Sequence, residues 1–401
     1  MEKTDKRLME LETPCFIFEA EELKRSVNGF KSALKKNFAK SVVGYSVKTN
    51  STPYCMHSAM TMGAYAEVVS YDEYKLALLC GFPKERLIYN GPMKSRDTFF
   101  DAIKHHAIVN IETKRELKWL RELDKFNEIY NIGLRLNINI TNVSPRDSDG
   151  DNDNSRFGFS DETGEFADAI DIIKKMSNIR LNGLHIHRTT HSRSVGFYEH
   201  SVRYACSIIR KYNLQIDYLD VGGGYYGIFP NKPTYQQYSD VIYKTLQEEG
   251  LSNVCVVVEP GNALVASCFS FLSEVIDIKQ VEKDRWFITT DGSRNDIDPF
   301  YKKQSYLEEE LYLHTSKVVE SQIISGCTCL EYDRMFELHG KPLLNVGDRI
   351  LYHNVGAYTM CLTPMFIRYV PKIYAFDDKE GVKLIRQKWS VNEFVQKTAI
   401  K

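Results

Sequence analysis

Short apolar runs alternate with longer helical stretches from residue 41 to about residue 258, and this alternation narrows the fold more than any other feature of the chain. The runs are Ser41 to Val47, Ala66 to Ser70, Arg86 to Tyr89, Ala107 to Ile111, Ile129 to Ile138, Leu181 to His187, Ile216 to Val221 and Val254 to Val258, most of them about 20 to 40 residues apart. Apolar strands joined by helical crossovers build parallel sheets covered on both faces. Eight such units over roughly 230 residues predict a closed (β/α)₈ barrel, with an open doubly wound sheet as the alternative. The barrel is favoured because Lys48, His187, Gly222 and Glu259 all fall at the C-terminal ends of these runs. That is the rim where barrel active sites form.

After about residue 268 the helical spacing fades. Phe271 to Ile278, Trp286 to Thr290, Leu311 to Leu313, Lys317 to Ile324, Arg349 to Tyr352 and Val391 to Lys397 read as strands. The expected organisation is therefore a barrel over residues 31–268 and a mainly β domain over residues 269–401. Residues 1–30 join the β domain through a strand near Cys15 to Phe18. The stretch Asn142 to Ser155, rich in Asn, Asp and Ser, reads as a mobile loop.

Composition removes several function classes. Of 401 residues 43% are apolar, enough for substantial cores, and 52 Lys plus Arg balance 53 Asp plus Glu. A chain so balanced has no long-range field for capturing nucleic acid or an anionic membrane. Met1 to Glu12 is charged and lacks the apolar core of a secretory signal, and no stretch is apolar enough to span a bilayer, so a soluble cytoplasmic protein is expected. The nine cysteines show no repeated CxxC pair, which argues against a zinc site and a disulfide framework. His185 and His187 invite a metal reading, but no cysteine or acidic cluster lies near them in the sequence, and no metal is expected.

Three segments carry the chemistry. Lys48 ends the apolar run Val42-Val43-Gly44-Tyr45-Ser46-Val47, Asp220-Val221 leads into Gly222-Gly223-Gly224, and Val258 leads into Glu259-Pro260-Gly261. An aldehyde cofactor needs an amine to form an imine, its phosphate needs backbone N–H groups that glycine can offer, and its pyridine nitrogen needs a carboxyl partner. Together the segments point to pyridoxal phosphate (PLP). Gly222 to Gly227 also matches the dinucleotide pattern GxGxxG, but that pattern should open a helix, and Ile228-Phe229-Pro230-Asn231-Lys232-Pro233 follows instead.

With these residues in place the sequence resembles the fold type III PLP decarboxylases, the family of diaminopimelate, ornithine and biosynthetic arginine decarboxylases. The resemblance runs from Thr13-Pro14-Cys15-Phe16-Ile17-Phe18 to Gly356-Ala357-Tyr358. Between them lie Tyr45-Ser46-Val47-Lys48, Val69-Ser70 with Glu73, Gly183-Leu184-His185-Ile186-His187, the triple glycine, Glu259-Pro260-Gly261, and Cys329 with Asp333. It implies an alanine racemase-like architecture, a PLP-binding TIM barrel with a C-terminal β-sandwich domain. It also implies a homodimer with shared active sites.

The resemblance makes Lys48 the imine lysine, His187 the residue stacked on the cofactor ring, and Cys329 the thiol that enters from the partner subunit to protonate Cα. Thr190, Gly222, Gly223, Gly224 and Tyr358 become phosphate ligands, and Glu259 the partner of the pyridine nitrogen. Arg294, Asp298 and Asp333 are the residues expected to face substrate. The chain departs from the family at Thr189, at Asn262 where an arginine is expected, at Leu330 where an acid is expected, and at Asp298 where diaminopimelate enzymes carry an arginine. The expected activity is therefore decarboxylation of an amino acid or derivative, diaminopimelate decarboxylase-like but with a different, specialised substrate. A racemase and a non-catalytic decarboxylase homologue acting as a regulator are the alternatives.

Overall fold

A computed structural model of the chain describes residues 6–125, 127–150, 155–313, 315–377 and 381–399. The chain divides into two compact units, one formed by Lys24–Leu264 and the other by Met1–Leu23 with Val265–Lys401. Strand β1 (Cys15–Glu19) belongs to the second.

The first unit holds β2 (Ser41–Ser46), β3 (Tyr65–Ser70), β4 (Leu87–Met93), β5 (Ile108–Ile111), β6 (Tyr130–Asn137), β7 (Phe159–Ser160), β8 (Ile179–Ile186), β9 (Tyr218–Asp220) and β10 (Cys255–Val258). Eight of these are parallel neighbours in the order β2-β3-β4-β5-β6-β8-β9-β10, and β10 returns to β2, so the sheet closes into the expected barrel. The short β7 lies against β6 outside the ring. Closure explains the apolar runs: Val256, Val257 and Val258 are wholly buried because both faces of β10 are covered.

The barrel interior is filled rather than hollow. The Tyr218 ring occupies room left by missing side chains, since a Cβ on Gly183 would lie 2.0 Å from Tyr218 Cζ and one on Gly133 would lie 2.2 Å from its hydroxyl. Tyr218 OH donates to Asn110 Oδ1 at 2.8 Å. Toward the C-terminal rim the lining turns polar, with Glu67, Asn90, Asn110 and Asp220 buried on four different strands.

The second unit is a mixed sheet of nine strands. Besides β1 it contains β11 (Phe269–Glu282), β12 (Arg285–Thr290), β13 (Glu308–Leu311), β14 (Val318–Ser325), β15 (Arg334–Pro342), β16 (Arg349–Tyr352), β17 (Lys372–Asp377) and β18 (Gly381–Arg386). The long β11 organises it, pairing with β1 and β16 along its first half and with β12 from Val275 onward, with a register shift between Val275 and Asp277. Leu8, Leu11, Cys15, Ile17, Leu272, Leu311 and Leu351 form one core beneath it.

Two expectations, one in each unit, meet local structure the sequence reading did not include. Val391 to Lys397, expected as a strand, begins instead as the helix Val391–Val395, because Ser390 and Glu393 make a capping box: Ser390 Oγ accepts from Asn392 N, and the Glu393 carboxylate accepts from Ser390 N. The stretch expected as a loop at Asn142 to Ser155 contains the short turns Ile140–Val143 and Pro145–Asp147, fastened by a buried Asp147; residues 151–154 of that stretch lie outside the described residues. Among the described residues no helix is long and apolar enough to cross a membrane.

Candidate active site

The groups expected to do chemistry sit where the barrel strands end. Lys48 occupies the turn Val47–Thr49 directly after β2, His187 follows β8, Gly222 follows β9 by one residue, and Glu259 follows β10. Lys48, Glu67, Asn90, His185, His187 and Glu259 are among the residues that line a single cavity of about 550 Å³.

Lys48 Nζ donates to Ser46 Oγ at 2.9 Å and is ion-paired with Glu67, while Ser46 Oγ donates to the same carboxylate at 2.6 Å. Burial pushes the Glu67 carboxyl up. The charge of Lys48, with hydrogen bonds from Lys48, Ser46 and Asn90, outweighs burial and holds it below its ordinary value. Glu67 is therefore a carboxylate and Lys48 an ammonium in the cofactor-free chain.

Glu259 is governed the other way. Burial, followed by the neighbouring carboxyls of Asp220 and Glu67, raises it well above the usual range, and burial first of all raises Asp220 to about 7. Asn90 Nδ2 donates to Glu259 Oε1 at 2.5 Å, and Asn110 Nδ2 donates to Asn90 Oδ1 at 2.9 Å and to Asp220 Oδ2 at 3.2 Å. His185 joins this floor with Nε2 3.8 Å from Glu259 Oε2. The sequence argument against an acidic cluster near His185 is thus corrected, because folding brings Asp220 and Glu259 to it, with ligand atoms within 4.8 Å of one another. Those carboxyls already accept from Asn90, Asn110 and Gly222 N–H, and their raised pKa values make them a proton-holding pair.

The glycine loop is sterically obligatory. Gly222 and Gly224 have φ of +69° and +95°, and a Cβ would lie 2.5 Å from His187 Nδ1 at Gly222 and 2.4 Å from the Glu259 carbonyl at Gly223. Its N–H groups are less available than the sequence reading supposed. Gly222 N–H donates to Asp220 Oδ1 at 3.0 Å and Gly223 N–H to His187 Nδ1 at 3.0 Å. Burial, then the charge of Arg135, holds His187 well below its ordinary value, so its ring is neutral and Nδ1 can accept. Gly222→Ala combines a left-handed alanine with a clash against His187, and should destabilise the fold by about 2–3 kcal/mol, read from denaturant unfolding beside the wild type.

Thr190 is buried, with Oγ1 accepting from Arg193 N at 3.0 Å. The remaining motif residues have structural positions. Glu73 accepts from Val69 N at 2.8 Å and its own N–H is capped by Ser70 Oγ, so this pair starts a helix at the cavity edge, where burial raises Glu73 to about 7.

In the second unit Cys329 is exposed and Leu330 half-buried beside it. Asp298 and Asp333, expected to face substrate, are instead buried and fully engaged. Asp298 accepts from Arg294 Nε and Nη2 at 3.0 and 2.8 Å and from the N–H groups of Lys302 and Lys303. Asp333 accepts from Ser293 Oγ, Arg294 N, Thr328 N and Thr328 Oγ1, which fixes the loop before Cys329. With five donors to Asp298, Tyr306 OH at 3.3 Å being the fifth, and four to Asp333, both carboxylates are spent on organising the surrounding chain. Tyr358 is partly exposed, with φ +56°.

Sequence reading missed Ser46, Glu67, Asn90 and Asn110, and the buried pair in which Arg135 Nη1 donates to Glu112 Oε2 at 2.7 Å. One signal was present. A glutamate within the apolar strand Tyr65–Ser70 is buried only if a cation or strong donors meet it.

Comparison with known proteins gives the family and the fold. Residues 22–266 match the family model for the pyridoxal-binding domain of pyridoxal-dependent decarboxylases. The diaminopimelate decarboxylase of Methanocaldococcus jannaschii is 24% identical over 405 aligned positions, covering 97% of this chain and 91% of that protein. Its crystal structure superposes with a TM-score of 0.85 at 23% identity, over 99% of this chain and 94% of that one. That of Helicobacter pylori diaminopimelate decarboxylase, complexed with L-lysine, gives 0.82 at 22% identity over 98% of each chain. Since the matched region covers most of the chain and contains the lysine, the glycine loop and the buried glutamate, the chain belongs to the pyridoxal-dependent decarboxylase family and is a carboxy-lyase that uses pyridoxal phosphate.

Proposed function

We propose that the chain removes the α-carboxylate of an amino acid whose side chain differs from that of diaminopimelate. The observation that carries the reading is the convergence on one cavity of an ammonium, Lys48, and a buried acid, Glu259, held protonated. The residues fit PLP: an amine for its aldehyde, a proton donor for its pyridine nitrogen, and a turn that only glycine can form, since a Cβ on Gly222 or Gly223 would strike His187 or the Glu259 carbonyl. When bound, that cofactor supplies a carbonyl carbon for amines and an electron sink for the charge left by loss of carbon dioxide.

The chain's own groups do the rest. Glu67 and Ser46 aim the Lys48 amine, and the Glu67 carboxylate can take its proton, since a nucleophilic amine must be neutral. Glu259 gives its proton to the ring nitrogen and is steadied by Asn90. His187, kept neutral by burial, presents a flat ring face without adding charge. Cys329 of the partner subunit carries the proton to substrate Cα, in a homodimer, its S–H being a donor that can move a proton.

Two features support a substrate other than diaminopimelate. Leu330, half-buried beside Cys329, cannot bind an ammonium. Arg294 is neutralised by Asp298, which leaves no free cation at that position for a distal carboxylate. The test is a screen of amino acids, meso-diaminopimelate among them, for carbon dioxide release by the PLP-loaded protein. At least one substrate lacking a distal amino acid group should exceed meso-diaminopimelate in kcat/KM by roughly tenfold or more, the worth of about one well-placed polar contact. A clear preference for meso-diaminopimelate would overturn the proposal.

A further inference from the structure

A phosphate monoester carries about −1.5 to −2 charges at neutral pH, and its site must supply donors and positive charge to match. The glycine loop alone is a poor match, since the N–H groups of Gly222 and Gly223 are already engaged by Asp220 and His187. We propose that Arg193 is the cation that holds the cofactor's phosphate, with the Thr190 hydroxyl beside it. This rests on reading Gly222–Gly224 and Thr190 as the phosphate end of the site.

Arg193 is fixed at both ends of its peptide. Its N–H donates to Thr190 Oγ1 at 3.0 Å, and its carbonyl accepts from Tyr238 OH at 2.7 Å. Tyr238 OH in turn accepts from Tyr226 N at 3.4 Å, two residues past Gly224. The flanking hydroxyls of Ser192 and Ser194 donate to Asp147 Oδ1, so the whole turn is clamped to the preceding loop. At φ +46° Arg193 occupies the left-handed region, which a side-chain-bearing residue enters only where its surroundings hold it.

Its guanidinium is centred 5.2 Å from the Tyr226 ring, and among the described residues no carboxylate forms an ion pair with it. Burial raises the phenol of Tyr198, whose OH donates to the Gly223 carbonyl at 2.8 Å, and Arg193's charge acts against that rise. The positive charge therefore reaches the residue that holds the glycine loop. Lys232 also lies over Tyr226, at 4.8 Å, but is exposed, and its N–H donates to Phe229 O at 3.4 Å rather than to the Thr190 turn.

The test compares binding of PLP and of pyridoxal, which has the same aldehyde and ring but no phosphate, to the cofactor-free chain by absorbance titration. Arg193→Gln should weaken PLP roughly 10- to 100-fold, the usual cost of one charge-assisted hydrogen bond, and leave pyridoxal unchanged. Arg193→Lys should recover most of the loss, and Lys232→Gln should bind both as the wild type does. Unaltered PLP binding in Arg193→Gln, or equal loss of PLP and pyridoxal, overturns the proposal. If the wild type binds PLP no tighter than pyridoxal, the underlying reading of the phosphate end fails instead.

Discussion

Carbon dioxide release by Lys48→Ala falls by at least about 10⁴-fold, the scale seen when a nucleophile is removed from a site whose other groups stay in place. Alanine also leaves Glu67 buried with only Ser46 and Asn90 as donors, and such a carboxyl takes up a proton. The loss in that variant therefore mixes missing chemistry with a changed neighbour. Lys48→Arg separates the two. Arginine keeps a positive charge against Glu67, yet its guanidinium does not deprotonate and cannot add to an aldehyde. Both variants should lack the visible absorption of covalently held cofactor and give no carbon dioxide above background. Turnover by Lys48→Arg near the wild-type rate would remove Lys48 from the reaction.

The barrel was legible because a buried parallel strand writes itself as an unbroken apolar run, and Cys255-Val256-Val257-Val258 is such a run. The rim groups were legible for the same reason, since each follows the last apolar residue of a run. The second unit was less so. β15 carries Arg334, Glu337 and Lys341 and β18 interrupts its apolar residues with Lys383, so neither writes an apolar run, while β17 offers only the four residues Ile373 to Phe376 between two charges.

What could not be read was partnership. Nothing local says that Gly223 N–H will meet His187 or that Asp298 will be enclosed by Arg294, Lys302 and Lys303, because those choices are made by neighbours the fold assembles. Glu67 was overlooked for a related reason. A charge on a strand looks like a solvent-facing position until the barrel closes around it.

Glu259→Gln tests the same buried network from its other end, and kcat should fall by about 10²- to 10⁴-fold, the range expected when a group that gives or holds a reacting proton is lost. The amide keeps the size of the acid, and its oxygen can still accept from Asn90. Because Glu259 is held protonated by burial and by Asp220 and Glu67, replacing it removes no charge from the folded chain. Stability should therefore stay within about 1 kcal/mol of the wild type, as for exchange of one neutral hydrogen-bonding group for another. The amide cannot pass a proton to the pyridine nitrogen, so the ring draws electrons less strongly while the Lys48 amine is untouched. Cofactor should bind, with its visible absorption in place, and carbon dioxide release should be slow across the whole pH range in which the protein is folded. A Glu259→Gln protein with wild-type kcat would mean that the carboxyl serves only to pack the barrel floor, whereas loss of stability by several kcal/mol would mean that it is ionised in the fold after all.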